Sequence, residues 1–379
     1  MIQYKCRAFC TEKIEQNFRS PGKGRYKEAL MEQKEQTHKR RVRYKGTHPR
    51  TYQEKYKELQ PEKYGDTIEK VIRKGGTPAG MHISICVQEI LDFLQIQPGQ
   101  IGLDATLGYG GHSSKMLEQL HHQGHLYALD VDPIEMKKTK ERLEGMGYGP
   151  EILSIRHLNF ADVEQLLVET EGFDFALADL GVSSMQIDNP ERGFTYKFEG
   201  PLDLRLNPEK GISAAQRLLD ISQPELEGML IENSDEPYAK EISTVILSEI
   251  RKGNAITTTT QLQKAVEKAL VKIPADKRKE AVKKSCARTF QALRIDVNNE
   301  FEVLETFLEK LPTVMKKGGR IAILTFHSGE DRLVKKSFQR FYREGIYSEI
   351  AKNVIRPSAE ECNRNSRARS TKMRWAVRA

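Results

Sequence analysis

The residue types best suited to chemistry stand together in residues 178–188, where an apolar stretch gives way to polar side chains. Asp179 ends the apolar stretch, and Ser183, Ser184 and Gln186 follow shortly after it. A carboxylate beside hydroxyl and amide groups can align an amine and accept its hydrogen bond as positive charge develops on nitrogen. We therefore predict Asp179, Ser183 and Ser184 as catalytic residues. The alternative is a polar turn that caps the next helix, for which serine is well suited.

A second candidate site is the glycine-rich sequence DATLGYGGHS, which runs from Asp104 to Ser113. Gly108, Gly110 and Gly111 would let the backbone approach a ligand closely, and the helix that follows offers free N–H groups. About 20 residues further on, Asp130 ends the next apolar stretch, where dinucleotide-binding folds place a carboxylate on ribose hydroxyls. The loop alone would also suit a plain turn, but the two features together predict a nucleoside-type ligand.

Two cofactors contain such a nucleoside, NAD and S-adenosylmethionine. The G-x-G-x-x-G spacing that brings the backbone onto a pyrophosphate is absent, because His112 and two serines follow Gly111. Asp104 would repel a pyrophosphate, whereas it suits the cationic methionine end of S-adenosylmethionine, directly or through water. Carbon methylation of cytosine would need a thiolate, and neither Cys286 nor Cys362 lies in a suitable strand-end loop. The residues thus favour S-adenosylmethionine as cofactor and methyl transfer to an amine.

These residues must be positioned by an α/β fold, because short apolar stretches alternate with helical patterns. The predicted strands are Ile101 to Thr106, Leu126 to Val131, Ile152 to His157, Phe173 to Leu180 and Arg320 to Thr325. A first helix is predicted over Cys86 to Leu94. The interval before the last strand holds the helical patterns Ala214 to Leu219, Pro224 to Ile231, Ala239 to Arg251, Thr260 to Val271 and Phe301 to Val314. Such an interval is too long for one crossover and predicts a helical domain inserted into a parallel sheet.

We predict four segments along the chain. They are a basic N-terminal extension (1–75), the first part of a catalytic domain (76–189), an inserted helical domain (190–300), and the second part of the catalytic domain with a basic C-terminal tail (301–379). The net charge of +8 is concentrated at the ends: residues 1–64 contain 17 Lys and Arg against 8 acidic residues, and residues 352–379 contain 8 against 2. Clustered cations neutralise phosphates, so nucleic acid is the favoured partner. Solvated tails are the alternative.

The composition describes a chain with enough apolar material for a core, at 38% hydrophobic and 30% charged residues. Its longest apolar stretches, such as Ile321 to Phe326, are too short to span a membrane, and the polar N-terminus is unlike a signal peptide. Five cysteines spread over the chain fit neither a disulfide framework nor metal knuckles. We therefore expect a soluble cytoplasmic protein without membrane contact, with His121, His122 and His125 at the surface and no metal site.

Long motifs make the chain similar to the bacterial 16S ribosomal RNA cytosine-N4 methyltransferase family, known as RsmH or MraW. The similarity begins near His82 and is carried by six segments: DATLGYGGHS (104–113), ADLGVSSMQIDNPERGF (178–194), GPLDLRL (200–206), RTFQALRIDVNNE (288–300), GGRIAILTFHSGEDR (318–332) and NSRARSTKMR (365–374). The resemblance implies a class I, Rossmann-like methyltransferase sheet with an inserted helical domain. It also implies that the substrate is a cytidine in the decoding region of small-subunit ribosomal RNA, methylated in an assembled particle.

The resemblance assigns roles residue by residue. It implies contacts with S-adenosylmethionine at Gly110, Gly111, His112, Asp130, Phe160, Asp179 and Gln186. Asp104 and Gly108 join this cofactor set from the loop argument above. Residues expected to border the target nucleotide or contact its phosphates are Arg294, His327, Ser328, Asp331, Arg332, Arg367 and Arg369.

Several positions depart from the family pattern. The family usually has proline at Met185, aspartate at Asn207, a histidine–proline pair at Lys284 and Ser285, and leucine at Gly329. A paralogue that performs the same chemistry on another RNA or DNA site would fit these departures and the extra basic extension. A noncatalytic RNA-binding assembly factor and, last, a nicotinamide oxidoreductase are further alternatives. The sequence leaves open whether the protein is a monomer or a dimer.

Overall fold

The computed structural model describes residues 84–379, so the predicted basic extension over residues 1–75 lies outside the described residues. The described part is built on a seven-stranded sheet with the strand order β3-β2-β1-β4-β5-β7-β6. The strands are β1 (Ile101–Asp104), β2 (His125–Asp130), β3 (Leu153–His157), β4 (Phe173–Asp179), β5 (Met315–Thr325), β6 (Tyr347–Ile350) and β7 (Lys372–Arg378). β1 to β5 are parallel, and β7 is antiparallel to both of its neighbours. The predicted α/β class I methyltransferase sheet is confirmed.

Helices cover both faces of this sheet because successive strand residues point to opposite sides. On one face, Phe175 and Leu177 of β4 pack in a core with α1 (Val87–Leu94) and α2 (Gly111–Leu120). On the other face, Ala176 and Ala178 pack in a core with α10 (Glu300–Val314) and α11 (Ser328–Arg343). The remaining helices around the sheet are α3 (Pro133–Gly145), α4 (Ser184–Asp188) and α12 (Ala359–Arg364). Both faces of the parallel strands are therefore dry, which explains their continuous apolar sequences.

The five helices between α4 and α10 share a hydrophobic core of their own. They are α5 (Ala214–Asp220), α6 (Gln223–Ser234), α7 (Ala239–Arg251), α8 (Thr259–Ala269) and α9 (Ala275–Val297). The helices α5 to α8 lie where the sequence shows helical patterns, whereas α9 was not among those patterns and the fifth, Phe301 to Val314, corresponds to α10. The charged stretch from Asp276 to Lys284 forms the mostly exposed first half of α9, whereas its second half carries the buried residues Phe290 and Leu293.

The C-terminal segment differs from the basic tail that the sequence analysis described. Its last part is β7, which lies inside the sheet between β5 and β6. The sequence KMRWAVR alternates cations with apolar residues, and Met373 and Ala376 are fully buried. The basic residues of β7 have protein partners: Arg374 donates to Asp331 and Arg378 to the Pro312 carbonyl. Part of the positive charge at this end therefore stabilises the fold.

Within residues 84–379 no helix has the length and apolar character needed to cross a membrane.

Candidate active site

A cavity of about 660 Å³ opens at the carboxyl ends of β1, β2 and β4, the edge where parallel sheets bind their ligands. Most of the predicted site residues line it. They are Gly108, Gly110, Gly111, His112, Asp130, Phe160, Asp179, Ser183, Ser184, Gln186, Arg294, His327 and Arg367. Loops from β1, β2 and β4 supply one wall, and the ends of α9 and α11 supply another. The fold thus collects residues that are far apart in sequence into one concave site.

The glycine loop between β1 and α2 is held open by specific hydrogen bonds. Gly108 has a φ of +48°, and its N–H donates to the Asp130 carboxylate at 2.7 Å. Gly110, the residue before α2, has a φ of +71°, and a Cβ there would lie 2.8 Å from the Thr139 side chain. Thr139 in turn donates its hydroxyl to the Gly108 carbonyl at 2.7 Å. Only glycine combines this backbone conformation with so close an approach of α3.

Asp130 ends β2 and is fixed by two backbone N–H groups, one on each carboxylate oxygen. Gly108 donates to Oδ2 at 2.7 Å, and Asp132 donates to Oδ1 at 2.8 Å. Burial raises the pKa of Asp130 to about 6, although these two hydrogen bonds act in the opposite direction. The carboxylate faces the cavity and keeps lone pairs for the hydroxyl groups of a ligand.

Asp179 ends β4 and has one committed and one free carboxylate oxygen. Its Oδ2 lies 3.4 Å from Nδ1 of His112, whereas Oδ1 is buried and has no hydrogen-bond partner. Burial raises the pKa of Asp179 to about 6, and His112 partly offsets this effect. The backbone N–H of Asp179 donates to the Thr106 hydroxyl at 2.6 Å. The strand end therefore presents a fixed carboxylate to the cavity.

The orientation of His112 follows from its second ring nitrogen. Nε2 lies 2.9 Å from the backbone carbonyl of Ile85, which can only accept, so Nε2 carries a hydrogen. Nδ1 faces Asp179, and a favourable contact between the two requires one proton between them. An imidazolium beside a carboxylate, or a neutral ring beside a protonated acid, satisfies this condition.

Asp104 lies below the cavity and does not line it. It is 1% exposed, accepts a 2.5 Å hydrogen bond from the Ser113 hydroxyl, and accepts a second from the Thr106 backbone. Burial raises its pKa. The predicted direct contact of Asp104 with the cofactor therefore has no counterpart in the cavity wall, and the contact through water stays a prediction.

Ser183, Ser184 and Gln186 line the cavity and also start a helix. Ser183 caps α4, because its hydroxyl accepts from the Gln186 backbone while Gln186 Oε1 accepts from the Ser183 backbone. The two alternatives for this polar turn are therefore compatible, because the residues that cap the helix also line the cavity. Gln186 uses its amide nitrogen to donate to Asp132 at 2.7 Å.

The residues predicted to border the substrate fall into two groups. Arg294, His327 and Arg367 line the cavity. Arg294 makes a paired contact with Glu300, and Arg367 contacts Asp188 at 3.0 Å.

Four residues of that set lie outside the cavity wall. Ser328 donates to Asp235 at 3.3 Å, and Asp331 is paired with Lys372 and Arg374. Arg332 and Arg369 are exposed. Asp331 therefore has a structural ion pair, and the two arginines are free to meet phosphates only outside the cavity.

Sequence reasoning missed several residues that shape the site. Asp132 is fully buried and accepts hydrogen bonds from the first turn of α3, from Gln186 and from Arg192. An aspartate directly before proline is a common helix start, so Asp132 had a signal in the sequence. Arg192 and Asn298 lie inside two of the family motifs, but no local pattern assigns them a role, because their partners are distant along the chain.

The donor set of the cavity fits S-adenosylmethionine. Asp130 is placed for ribose hydroxyls, and Phe160, half-buried and 5.0 Å from the Phe307 ring, offers an aromatic edge to the cavity. The cavity wall contains six carboxylates, which favour a cationic ligand over a pyrophosphate: Asp130, Glu135, Asp162, Asp179, Glu300 and Glu330. One of these carboxylates, Asp179, has an oxygen without a hydrogen-bond partner.

A thiolate mechanism finds no support in the described residues. Neither Cys286 nor Cys362 lines the cavity, and burial raises the pKa of Cys286 to about 12.

Comparison with known proteins agrees with this geometry. The model of the MraW methylase family matches residues 79–379. Ribosomal RNA small subunit methyltransferase H 1 of Lachnoclostridium phytofermentans is 71% identical over 348 residues, covering 92% of this chain and 95% of that protein. Methyltransferase H 2 of Alkaliphilus metalliredigens is 66% identical, covering 92% and 100%. Methyltransferase H of Pseudoalteromonas atlantica is 38% identical, covering 78% and 97%.

Proposed function

This chain belongs to the MraW methylase family, and from that premise we propose that it methylates the exocyclic N4 amine of a cytidine in small-subunit ribosomal RNA. S-adenosylmethionine is the methyl donor. Relatives that are 66–71% identical carry the name ribosomal RNA small subunit methyltransferase H. The finer part of the proposal is that the cytidine lies in the decoding region, that the substrate is the assembled small subunit, and that the protein works in the cytoplasm.

The observation that carries the proposal is the pair of different oxygens on Asp179. Oδ2 is held by His112 and Oδ1 has no hydrogen-bond partner, and the side chain, which is 28% exposed, lies in the wall of a cavity that opens at the carboxyl ends of the strands. Such an oxygen can accept a hydrogen bond from one N–H of an amine and orient the nitrogen lone pair away from the carboxylate. An acceptor that is preorganised in a low-dielectric site is worth more than the same group in water.

The residues that would hold the donor are those of the first two strand ends. Asp130 would accept from ribose hydroxyls, the loop from Gly108 to Gly111 would lie along the ligand, and Phe160 would pack against the adenine. When bound, the cofactor supplies a methyl group made electrophilic by its sulfonium.

Asp179 then performs two tasks for the target base. It aligns the amine through its carboxylate, and it accepts an amine proton as the nitrogen becomes positive. Both tasks require the carboxylate form, which the adjacent His112 favours and burial disfavours. His112 also holds the carboxylate in place through Oδ2, because its own ring is fixed by the Ile85 carbonyl.

Methylation of isolated small subunits tests the proposal. Subunits from a strain that lacks the gene are incubated with the protein and S-adenosylmethionine, and the RNA nucleosides are identified and mapped by mass spectrometry. We expect N4-methylcytidine at one position, and no product with Asp179→Asn. Asp174→Asn is the matched control, because Asp174 lies at the opposite end of β4 and bonds to Ile101 and Lys316 away from the cavity. A protein that binds no S-adenosylmethionine in calorimetry would instead be the noncatalytic assembly factor.

The same mapping separates the decoding region from another target. One departure from the family pattern, Gly329, favours a target outside the decoding region. A Cβ on Gly329 would lie 2.5 Å from the Phe301 ring, so a larger residue would not fit there. The ring therefore occupies space that a larger residue would take beside His327, a cavity residue. A methylated cytidine outside the decoding region would establish the paralogue.

A further inference from the structure

One wall of the cavity is a loop that belongs to the helical insertion. We define the wall loop as residues 204–211, of which Leu206, Asn207, Lys210 and Gly211 line the cavity. Arg205 closes this loop on itself through a paired contact with Asp203 and a hydrogen bond to the Gly211 carbonyl. Asn207 of this loop lies 3.4 Å from His157 at the end of β3, and the loop contains none of the predicted cofactor residues, so we expect its position to shape the part of the cavity left for a target nucleotide.

Arg192 ties the wall loop to the strand side of the cavity. Its guanidinium donates to Asp132 Oδ2 at 2.7 Å, to the Leu206 carbonyl at 2.8 Å and to the Arg205 carbonyl at 3.2 Å. Arg192 is 7% exposed and Asp132 is fully buried. A buried ion pair is costly to desolvate unless further hydrogen bonds satisfy the charge, and here the two loop carbonyls do so.

Asn298 holds the wall loop from the other side. Its side-chain oxygen accepts from the Leu206 backbone at 2.8 Å, and its nitrogen donates to the Leu204 carbonyl at 2.8 Å. Leu204 between these contacts has a φ of +65°. A non-glycine residue keeps this conformation only where its surroundings enforce it. Arg192 and Asn298 therefore hold the wall loop in a strained backbone conformation.

Asp132 connects Arg192 to the strand ends that would hold S-adenosylmethionine. It lies two residues after Asp130, caps α3, and accepts from Gln186 on the same oxygen that contacts Arg192. One buried carboxylate thus joins the loop after β2, the loop after β4 and the wall loop of the insertion.

We propose that Arg192 is a positioning residue for the target nucleotide, acting by fixing the wall loop against Asp132. The identity of the substrate in this proposal rests on the proposed function, whereas the role of Arg192 in fixing the wall loop does not depend on it. The donor side keeps its own hydrogen bonds when Arg192 is changed, because Asp130 is held by Gly108 and Asp132 backbone groups. Loss of Arg192 therefore weakens RNA recognition more than cofactor binding.

Arg192→Lys is the most informative variant. Lysine keeps a charge for Asp132 but lacks the planar fork that reaches two carbonyls and a carboxylate together. We expect hydrogen exchange of the wall-loop amides to be about tenfold faster, matching the loss of a charged hydrogen bond. The KM for small subunits rises by about tenfold, while the dissociation constant for S-adenosylmethionine stays within about threefold of the wild-type value.

Arg217→Met is the matched control. Arg217 is another partly buried arginine of the insertion that pairs with Asp296 and Glu225 and does not line the cavity. It is expected to leave wall-loop exchange and KM unchanged. Asn298→Ala releases the loop from the opposite side and is expected to reproduce the Arg192→Lys pattern, which keeps the test open if one variant folds poorly.

Two results would overturn the proposal. One is unchanged wall-loop exchange in both Arg192→Lys and Asn298→Ala. The other is a loss of cofactor affinity as large as the rise in KM, which would make Arg192 a general support of the fold. Exchange and cofactor binding are measured without RNA, so a failure to methylate small subunits would count against the proposed function and leave these two measurements decisive for Arg192.

Discussion

Two strand-end loops flank the centre of the cavity and carry the same residue type in two different settings. Asp130 follows β2 and Asp179 follows β4, and burial raises the pKa of each to about 6. Both oxygens of Asp130 accept backbone N–H groups of the surrounding loops. Asp179 has His112 on one oxygen and nothing on the other.

In the proposed roles, hydrogen-bond partners, more than position or pKa, distinguish the carboxylate that binds the cofactor from the one that acts on the amine. Backbone donors fix Asp130 as a rigid acceptor, and its hydrogen bond from Gly108 also holds the glycine loop in place. The free oxygen of Asp179 is a cost to the folded state, since a buried acceptor without a partner loses its hydration. Such a cost is expected where a group is reserved for a substrate.

The largest expected effect comes from Asp179→Asn. The amide is nearly isosteric but accepts no proton, so kcat is expected to fall by about 10³-fold, within the range for a lost general base. Single-turnover methylation of small subunits measures this step, and calorimetry is expected to show a dissociation constant for S-adenosylmethionine within about tenfold of wild type. A kcat within tenfold of wild type would remove Asp179 from the chemistry.

Asp130→Asn reverses this pattern and is expected to have the second-largest effect. The amide weakens both the hydrogen bonds from ribose and those from the Gly108 and Asp132 backbones, so cofactor affinity falls by about 10²-fold. At saturating cofactor, kcat changes by less than tenfold. An equal loss of kcat in Asp130→Asn and Asp179→Asn would erase the distinction between the two loops.

His112→Asn tests the partner that sets Asp179 apart. The wild-type rate is expected to fall as pH decreases through about 6, because Asp179 then becomes protonated. His112 lowers the pKa of Asp179, whereas the nearby Asp104 and Glu330 raise it. Without His112 the acidic limb of the kcat–pH profile therefore moves to higher pH, and kcat at neutral pH drops about tenfold. An acidic limb at the same pH in both proteins would contradict this role.

The smallest effect is a change in how stability depends on pH. The pKa of Asp179 is higher in the folded protein than in the unfolded chain, so its ionisation destabilises the fold. The penalty is absent below pH 4 and complete above about pH 6. Asp179→Asn is thus expected to gain about 3 kcal/mol relative to wild type between pH 4 and pH 8. Urea unfolding without cofactor measures this difference, and Asp130 cancels from it because it titrates in both proteins.

The sequence predicted this pair of acids because the carboxyl ends of parallel strands meet at one edge. Asp130 and Asp179 each end an apolar stretch, and that local signal was enough. The contact between Asp132 and Arg192 joins residues 60 positions apart with no periodicity between them, so it could only be seen in three dimensions.

Charge patterning was the least reliable guide. Arg374 and Arg378 were counted with a basic tail, yet they belong to β7 and bond to protein groups. Asp331 was predicted to border the substrate, and the structure pairs it with Lys372 and Arg374 outside the cavity wall. Side chains of this length reach either phosphates or internal acceptors, and composition cannot tell these apart.

The insertion of five helices between two paired strands also affects how the protein reaches its folded state. Asp179 pairs with Leu324 across β4 and β5, although the two lie more than a hundred residues apart in sequence. Bringing such distant segments together costs roughly 4 kcal/mol of chain entropy, and contacts of long sequence separation form slowly. The helices can collapse locally before this pairing closes. Asp179, to which we assign the chemistry, is thus expected to be among the last groups to take its place, so a chain caught midway through folding would present no assembled site.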